Sequence, residues 1–224
     1  MTNRRFRHAL SRAMIAAALA AGAATVGSAL LPGGAAFAQS TRDPSAEQFV
    51  GAQAQRILAI LNDNDQSRAD KVAAFRSIID QDADVPRITT FVLGKYARSI
   101  TPAQMQRFAP VFREYAQNVY ESRMSEFHGE TVRVTGSIVR RPGDVVVNTL
   151  IVGGDLKQPL PVAWRVLGAG GSWKVVDVEV SGVWLAITEQ QDFVSTIDNH
   201  GGDIDALTDQ LQQQRQRRTR PASR

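Results

Sequence analysis

Trp173-Lys174-Val175-Val176-Asp177-Val178-Glu179-Val180-Ser181-Gly182-Val183-Trp184-Leu185 is the stretch whose reading decides the fold. Successive side chains of a strand point to opposite faces, so the alternation from Lys174 to Val180 predicts a β-strand. Val176, Val178 and Val180 fall on one dry face, and Val175, Asp177 and Glu179 on the other. Gly182 breaks the pattern. The apolar run from Val183 to Ile187 then starts a helix that reaches Asn199 and carries the chain over the dry face.

Working upstream, three more strands precede this one: Thr131–Val139, Val145–Val152 and Leu160–Leu167. Pro142-Gly143-Asp144, Gly153-Gly154-Asp155 and Gly168-Ala169-Gly170-Gly171 separate them, all of them turn chemistry. Short connections predict a four-stranded antiparallel meander. Val162, Trp164 and Val166 share a face of the third strand, and Val132, Val134 and Ile138 share one of the first.

Four helices come before the sheet. The first spans Ser45 to Asp63, with Ser45 and Gln48 set as a capping box and Val50, Ala54, Ile57, Leu58 and Leu61 as its apolar stripe. Ser67 and Asp70 open the second, which buries Val72, Phe75, Ile78 and Ile79. Pro86 opens the third, with Ile88, Phe91, Val92 and Tyr96 at helical spacing. Thr101, Pro102 and Gln104 give the fourth a strong start. Its stripe of Met105, Phe108, Phe112, Tyr115 and Val119 is widened by Ala116, Tyr120, Met124 and Phe127. Pro110 inside it predicts a bend. Asp203 caps a last short helix with Ile204, Leu207 and Leu211. Helices packed on a sheet, followed by further helices, define an α+β chain.

Both ends read differently from this body. Arg4, Arg5, Arg7 and Arg12 precede an uncharged run from Ala13 to Leu31, and Ala36-Phe37-Ala38 supplies an A-x-A cleavage point between Ala38 and Gln39. Residues 1–38 are therefore expected to be a removed signal peptide and the protein to be exported. Arg4-Arg5 hints at the twin-arginine route, but Phe6 follows the pair directly, which leaves that route and the general one both open. From Gln212 to Arg224 the chain is polar and basic without apolar period, the pattern of a disordered tail. The net charge of +4 misleads. Without the four signal arginines the chain is neutral, and without the five tail arginines the body stands at −5. A basic nucleic-acid surface is not a property of that body.

Catalytic signatures are missing. The sequence holds no cysteine, so thiolate chemistry and disulfides are excluded. His128 and His200 are the only histidines beyond the signal, which disfavours a metal site, and no cofactor is expected. Nucleotide loops and hydrolase or zinc motifs do not occur. Gly168-Ala169-Gly170-Gly171 lies between two strands and reads as a hairpin loop. Asp177 is the best candidate for a buried acid, and a structural or surface role is the expected one. Large apolar groups are in surplus on the long helix and on one sheet face. A sheet curled around helices leaves an internal space, and an apolar one suits an apolar ligand.

Several segments together resemble the MlaC-like family of toluene-tolerance and lipid-asymmetry proteins. They are Phe91-Val92-Leu93-Gly94-Lys95-Tyr96, the Thr101-Pro102 helix with Phe108 and Phe112, and Gly129-Glu130-Thr131-Val132. Trp173 to Asp177, Gly182-Val183, Gln191-Asp192-Phe193 and Gly201-Gly202-Asp203 with Leu207 complete the match, which covers nearly all of residues 45–212 in order. Where the family often has Glu-Gly-Val-Ser, this chain has Ser181-Gly182-Val183-Trp184, and Pro110 also departs from the pattern. The resemblance implies a lipid-binding domain over residues 39–211, with helices on a curved, NTF2-like cone of four strands. It implies a phospholipid carrier in the periplasm, working between an outer-membrane lipoprotein complex and the lipid-binding ring of an inner-membrane ABC transporter.

A monomer with transient membrane contact is expected, and the lipid class, phospholipid or isoprenoid, stays open. The expected pocket lining is Phe91, Phe108, Phe112 and Tyr115 from the helices, Val134, Leu150, Val162, Trp164, Val166, Val176, Val178 and Val180 from the sheet, and Trp184 and Ile187 after it. The competing reading is an enzyme on the same kind of fold with Asp177 or Tyr115 acting in the pocket. A protein-binding adaptor is a third.

Overall fold

The computed structural model describes residues 42–121, 129–169 and 171–219. The segment expected to be a signal peptide, with Ala38 and Gln39, and also Met124, Phe127 and His128, lie outside the described residues. The architecture is α+β: a sheet with one helix laid along it and a lobe of helices beside it.

The sheet has five strands rather than four: β1 (Glu130–Arg141), β2 (Asp144–Gly153), β3 (Leu160–Ala169), β4 (Ser172–Val180) and β5 (Val183–Trp184). They lie in sequence order, each antiparallel to the next. The fifth strand takes two residues that the sequence reading gives to a helix. Ser181 and Gly182 have φ of 50° and 86°, the positive pair of a type I′ turn. That turn matches strand twist, so Val183 folds back onto Val180 and Trp184 onto Glu179. The helix begins only at Leu185.

Two bulges overturn strict alternation. In β4 the register passes from Arg165↔Asp177 to Val166↔Val175, leaving Val176 as the extra residue. Val175, not Val176, therefore joins the face that carries Val178 and Val180. In β1 the register jumps between Val134 and Gly136, so Ser137 and Val139 continue the face of Val134. Ile138 is turned the other way and is 47% exposed.

Helix α1 (Pro44–Asn62) lies along β1 on this inner face. Its cap is Asp43, which accepts from Ala46 N at 2.9 Å. Ser45, expected in a capping box, instead accepts from Trp173 Nε1 at 2.8 Å and ties the helix to β4. Ala46 and Val50 pack on Val145, Val147, Val166 and Trp173, the first of two cores. Helix α2 (Arg68–Asp82) starts at Ser67, which accepts from Asp70 N as its spacing predicts.

The helical lobe comprises α3 (Val85–Val92), a 3₁₀ turn (Gly94–Arg98), α4 (Pro102–Glu121), α5 (Leu185–Asn199) and α6 (Ile204–Thr219). Tyr96 belongs to the 3₁₀ turn, not to the helix before it. Gly94 has φ of 53°, and a Cβ there would meet Val194 Cγ2 at 2.6 Å. The chain turns at that point because glycine permits both the conformation and the close approach of α5. Thr101 and Gln104 cap α4 reciprocally, each backbone N–H donating to the other's side chain. Pro110 does not end that helix. α6 runs on to Thr219, well into the stretch expected to be a tail. Leu207 and Leu211 are buried and nucleate it, after which glutamines and arginines extend it at little cost.

Two attachments at β4 hold the lobe to the sheet. Asp84 N donates to Val175 O at 2.9 Å just before α3, and Asp177 Oδ1 accepts from Ala186 N at 2.8 Å in the first turn of α5. Inside the lobe Phe108 and Phe112 stack with centroids 5.7 Å apart, and Phe193 meets both edge-on at 6.2 and 5.9 Å. Val92, Leu93, Ile197, Ile204, Leu207 and Leu211 complete this second core.

Candidate functional site: the seam between the two cores

The register aligns one apolar row across the inner face. Val134 pairs with Thr149, Thr149 with Val162, and Val162 with Val180; one step along, Val147, Trp164 and Val178 are aligned in the same way. At one end of the face α1 buries Val145, Val147 and Val166. At the other end Val134, Trp164, Val178 and Val180 are only half-buried, as is Val183 on β5, whereas Trp184, expected in the lining, pairs with Glu179 and faces the opposite side of the sheet. Val162 lies buried between them. This row belongs to neither filled core except at its margin, where Val134 and Trp164 touch the one under α1.

Polar groups along the row are satisfied in a way that leaves the wall apolar. Trp164 Nε1 donates to Thr149 Oγ1 at 3.0 Å, and that hydroxyl donates to Val162 O at 2.9 Å. The indole N–H is spent inside the sheet, so its ring presents hydrocarbon. Thr149 was missed by sequence reading, although it stands in step with Val145 and Val147.

The other expected lining residues are placed elsewhere. Phe108 and Phe112 are committed to the helical core with Phe193. Val166 is covered by α1, and Val176 is the bulge residue of β4. Leu150 pairs with Arg133 and Pro161, one residue out of step with Thr149, and so faces the opposite side of the sheet. Phe91 and Ile187 are 37% and 40% exposed on α3 and α5. Phe91 lines an open hollow of about 510 Å³ with Asp84, Pro86, Arg87 and Thr90, and another of about 690 Å³ runs along α2 from Ala69 to Gln81. Neither hollow is lined by the row on the sheet.

Tyr115 does reach the interior, where it leans on Phe193 at 5.9 Å. Its hydroxyl donates to Glu189 Oε1 at 2.7 Å. Burial pushes the Glu189 carboxyl up to about 7, with the nearby charge of Asp192 adding to the rise and the Tyr115 bond opposing it. Glu189 was not a sequence candidate. Its signal was position: it falls on the buried stripe of α5 with Leu185, Ala186, Phe193 and Ile197.

Asp177 is buried and serves as an anchor. Oδ1 accepts from both Val178 N and Ala186 N at 2.8 Å. Burial raises its pKa, while these two bonds and Arg165 pull the other way. Next to it in the sheet Arg165 grips Asp144 through two bonds of 3.0 and 2.9 Å, holding that carboxyl below its ordinary range. Asp177 thus does structural work. Among the described residues there is no group of three or more His, Cys, Asp or Glu placed to hold a metal ion, and no helix long and apolar enough to cross a membrane.

An open antiparallel sheet joined at β4 to a helical lobe, with an apolar row left between two cores, is a fold with a known counterpart. A solved structure of a phospholipid-binding protein from Ralstonia solanacearum, in complex with a phospholipid, superposes with a TM-score of 0.65 at 24% identity, over 75% of this chain and 95% of that one. The family model described as MlaC protein matches residues 52–213, and the chain belongs to that family. The toluene tolerance protein ttg2D of Pseudomonas putida is 26% identical over 132 residues, which is 59% of this chain and 60% of that protein. The intermembrane phospholipid transport system binding protein MlaC of Haemophilus influenzae is 25% identical over 127 residues, 54% of this chain and 58% of the relative. The matched region thus spans about three-fifths of the length of these curated relatives.

Proposed function

We propose that this protein is a lipid carrier of the periplasm, not an enzyme. It holds the acyl chains of a phospholipid in the seam between its two cores and leaves the head group in water. The observation that carries this reading is the half-buried row of Val134, Trp164, Val178, Val180 and Val183, an apolar surface that the chain's own side chains do not finish covering. Phospholipid binding by the Ralstonia protein and the intermembrane phospholipid transport system of the Haemophilus relative support it.

Energetics set what such a carrier must supply. Each CH₂ removed from water is worth about 0.8 kcal/mol, so one long acyl chain strands on the order of 12 kcal/mol if left exposed. A lining of valine and indole offsets that penalty, and a sheet curled toward an NTF2-like cone would wrap it around the chains. Lipid then passes from one apolar environment to another at small net cost. In the membrane system that the resemblance implies, the donors and acceptors are an outer-membrane lipoprotein complex and the lipid-binding ring of an inner-membrane ABC transporter. The enzyme reading loses its first candidate because Asp177 is already occupied by two backbone N–H groups.

Native mass spectrometry of the purified protein tests the proposal. Phospholipid carried through purification, or taken up from vesicles, is the expected result. Protein that arrives empty and stays empty after mixing with vesicles overturns it.

A further inference from the structure

We infer that Thr149 is a positioning residue for the lipid: its hydroxyl keeps the Trp164 indole N–H inside the sheet, so that loading the row strips no water from a polar group. The inference rests on the lipid-carrier reading above and adds to it a residue on which the binding of the tails depends.

Register places the pair. Val147 stands opposite Trp164 and Thr149 opposite Val162, so Thr149 is the diagonal neighbour of Trp164 on one face, within reach of an aromatic side chain. The indole leans along that diagonal and donates from Nε1 to Thr149 Oγ1 at 3.0 Å, and the hydroxyl donates in turn to Val162 O at 2.9 Å. Thr149 is buried, while Trp164 stays half-buried. The other members of the two aligned lines on β2, β3 and β4 are Val147, Val162, Val178 and Val180, which carry no polar side-chain atom.

Trp173, on the same face, shows what a covered indole does. Its Nε1 donates to Ser45 Oγ at 2.8 Å, and Ser45 belongs to α1, the helix that buries the ring. There the partner arrives with the cover. Trp164 is satisfied by a residue of the neighbouring strand, without any covering element, and its half-buried ring is left to meet hydrocarbon.

The consequence falls on loading more than on folding. An indole N–H without a protein partner bonds water in the empty protein. It loses that water when an acyl chain covers it, and the chain has no acceptor to offer in exchange. An N–H already paired to Thr149 is the same in both states and opposes nothing when the chain arrives. Removing the hydroxyl therefore weakens lipid binding through Trp164, and a ring that has no N–H leaves nothing to strand.

The test is a double-mutant cycle on uptake of 1-palmitoyl-2-oleoyl phosphatidylglycerol from vesicles by delipidated protein, read by native mass spectrometry. Thr149→Val keeps the shape without the hydroxyl and is expected to take up about tenfold less lipid, the size of one stranded donor. Thr149→Ser, which retains the hydroxyl, is expected to recover most of that loss. In a Trp164→Phe background, where the ring has no N–H, Thr149→Val is expected to change uptake by less than about twofold. Unchanged uptake in Thr149→Val overturns the inference. So does a loss of equal size in both backgrounds, the result of a threonine that serves structure alone. A measurement on wild type stands even where a variant fails to fold: the Trp164 indole N–H is expected to exchange with solvent about tenfold more slowly than a free indole, with or without lipid. Free exchange in the lipid-free protein overturns the inference. If wild type takes up no lipid, the carrier reading itself falls and this inference with it, an outcome distinct from equal losses in the two backgrounds.

Discussion

The helical core and the seam use the same kinds of residue and end up in different conditions. In the lobe, Phe108, Phe112 and Phe193 meet one another, and Phe108 is fully buried. On the sheet, Trp164, Val178 and Val180 are equally apolar but only half-buried. Side-chain chemistry does not separate the two regions; what does is whether another part of the chain fills the facing side. An apolar surface finished by the protein contributes to stability, and one left unfinished is available to a guest. The sharpest way to break this contrast is Phe193→Ala. Removing a ring that touches Phe108, Phe112 and Tyr115 is expected to cost about 3–5 kcal/mol, read by denaturant or thermal unfolding. A loss below about 1 kcal/mol would show that the lobe is as loosely filled as the seam.

Two acids sharpen the same contrast through pH. Asp144 is buried in a bidentate grip from Arg165, which lowers its pKa. Its contribution is present above the ordinary carboxylate range and is lost as pH falls through the lowered value. Glu189 is half-buried, with no cation acting on it among the described residues, and burial raises it from 4.5 to about 7. Between those values the folded state keeps a proton that the unfolded chain has released, so stability is greatest below the lower value and is lost as pH rises through about 7. The expected loss over that window is about 3 kcal/mol. Melting curves of wild type and Glu189→Gln across the window check this: the wild-type slope should be clearly reduced in the variant, with the raised Asp177 contributing a slope of the same sign to both. Parallel slopes in the two proteins would mean that Glu189 ionises as if in water.

Much of the frame was legible in the sequence because its signals are local. Thr101 with Gln104 and Ser67 with Asp70 mark helix starts by spacing alone, and both caps form. The four long strands follow from alternation and turn residues. What alternation could not carry was the bulges: one extra residue in β4 moves Val175 into the face assigned to Val176, and one in β1 turns Ile138 outward. The β4 bulge leaves no local signature because the extra residue, Val176, is the same type as Val175, whose place it takes in the alternation. The site was less legible still. Phe108 and Phe112 look like lining from their own helix, and only Phe193, more than 80 residues away, shows that their face is already filled. Glu189 was hidden for the opposite reason, since a carboxylate on an apolar stripe reads as an interruption until Tyr115 arrives from another helix to hold it.

The smallest change in stability belongs to the seam itself. Val178→Ala and Val180→Ala each remove two methyl groups from a half-buried position. At about 25 cal/mol per Å² of apolar surface, such a position returns well under 2 kcal/mol to the folded protein, and the expected loss is about 1 kcal/mol or less. Lipid uptake responds differently, because in the loaded protein those methyls face hydrocarbon and each lost contact exposes part of an acyl chain. The double variant is therefore expected to melt close to wild type yet retain several-fold less phospholipid in a native mass spectrum. Val145→Ala supplies the control. It sits on the same face beneath α1 and is fully buried, so it should cost more stability while leaving lipid retention near wild type. If all three substitutions lower melting and lipid retention in proportion, the sheet has one continuous core and no separate surface for a guest. If Val178 and Val180 affect retention alone, the boundary between protein interior and lipid site runs between the rows that α1 covers and the rows it leaves half-buried.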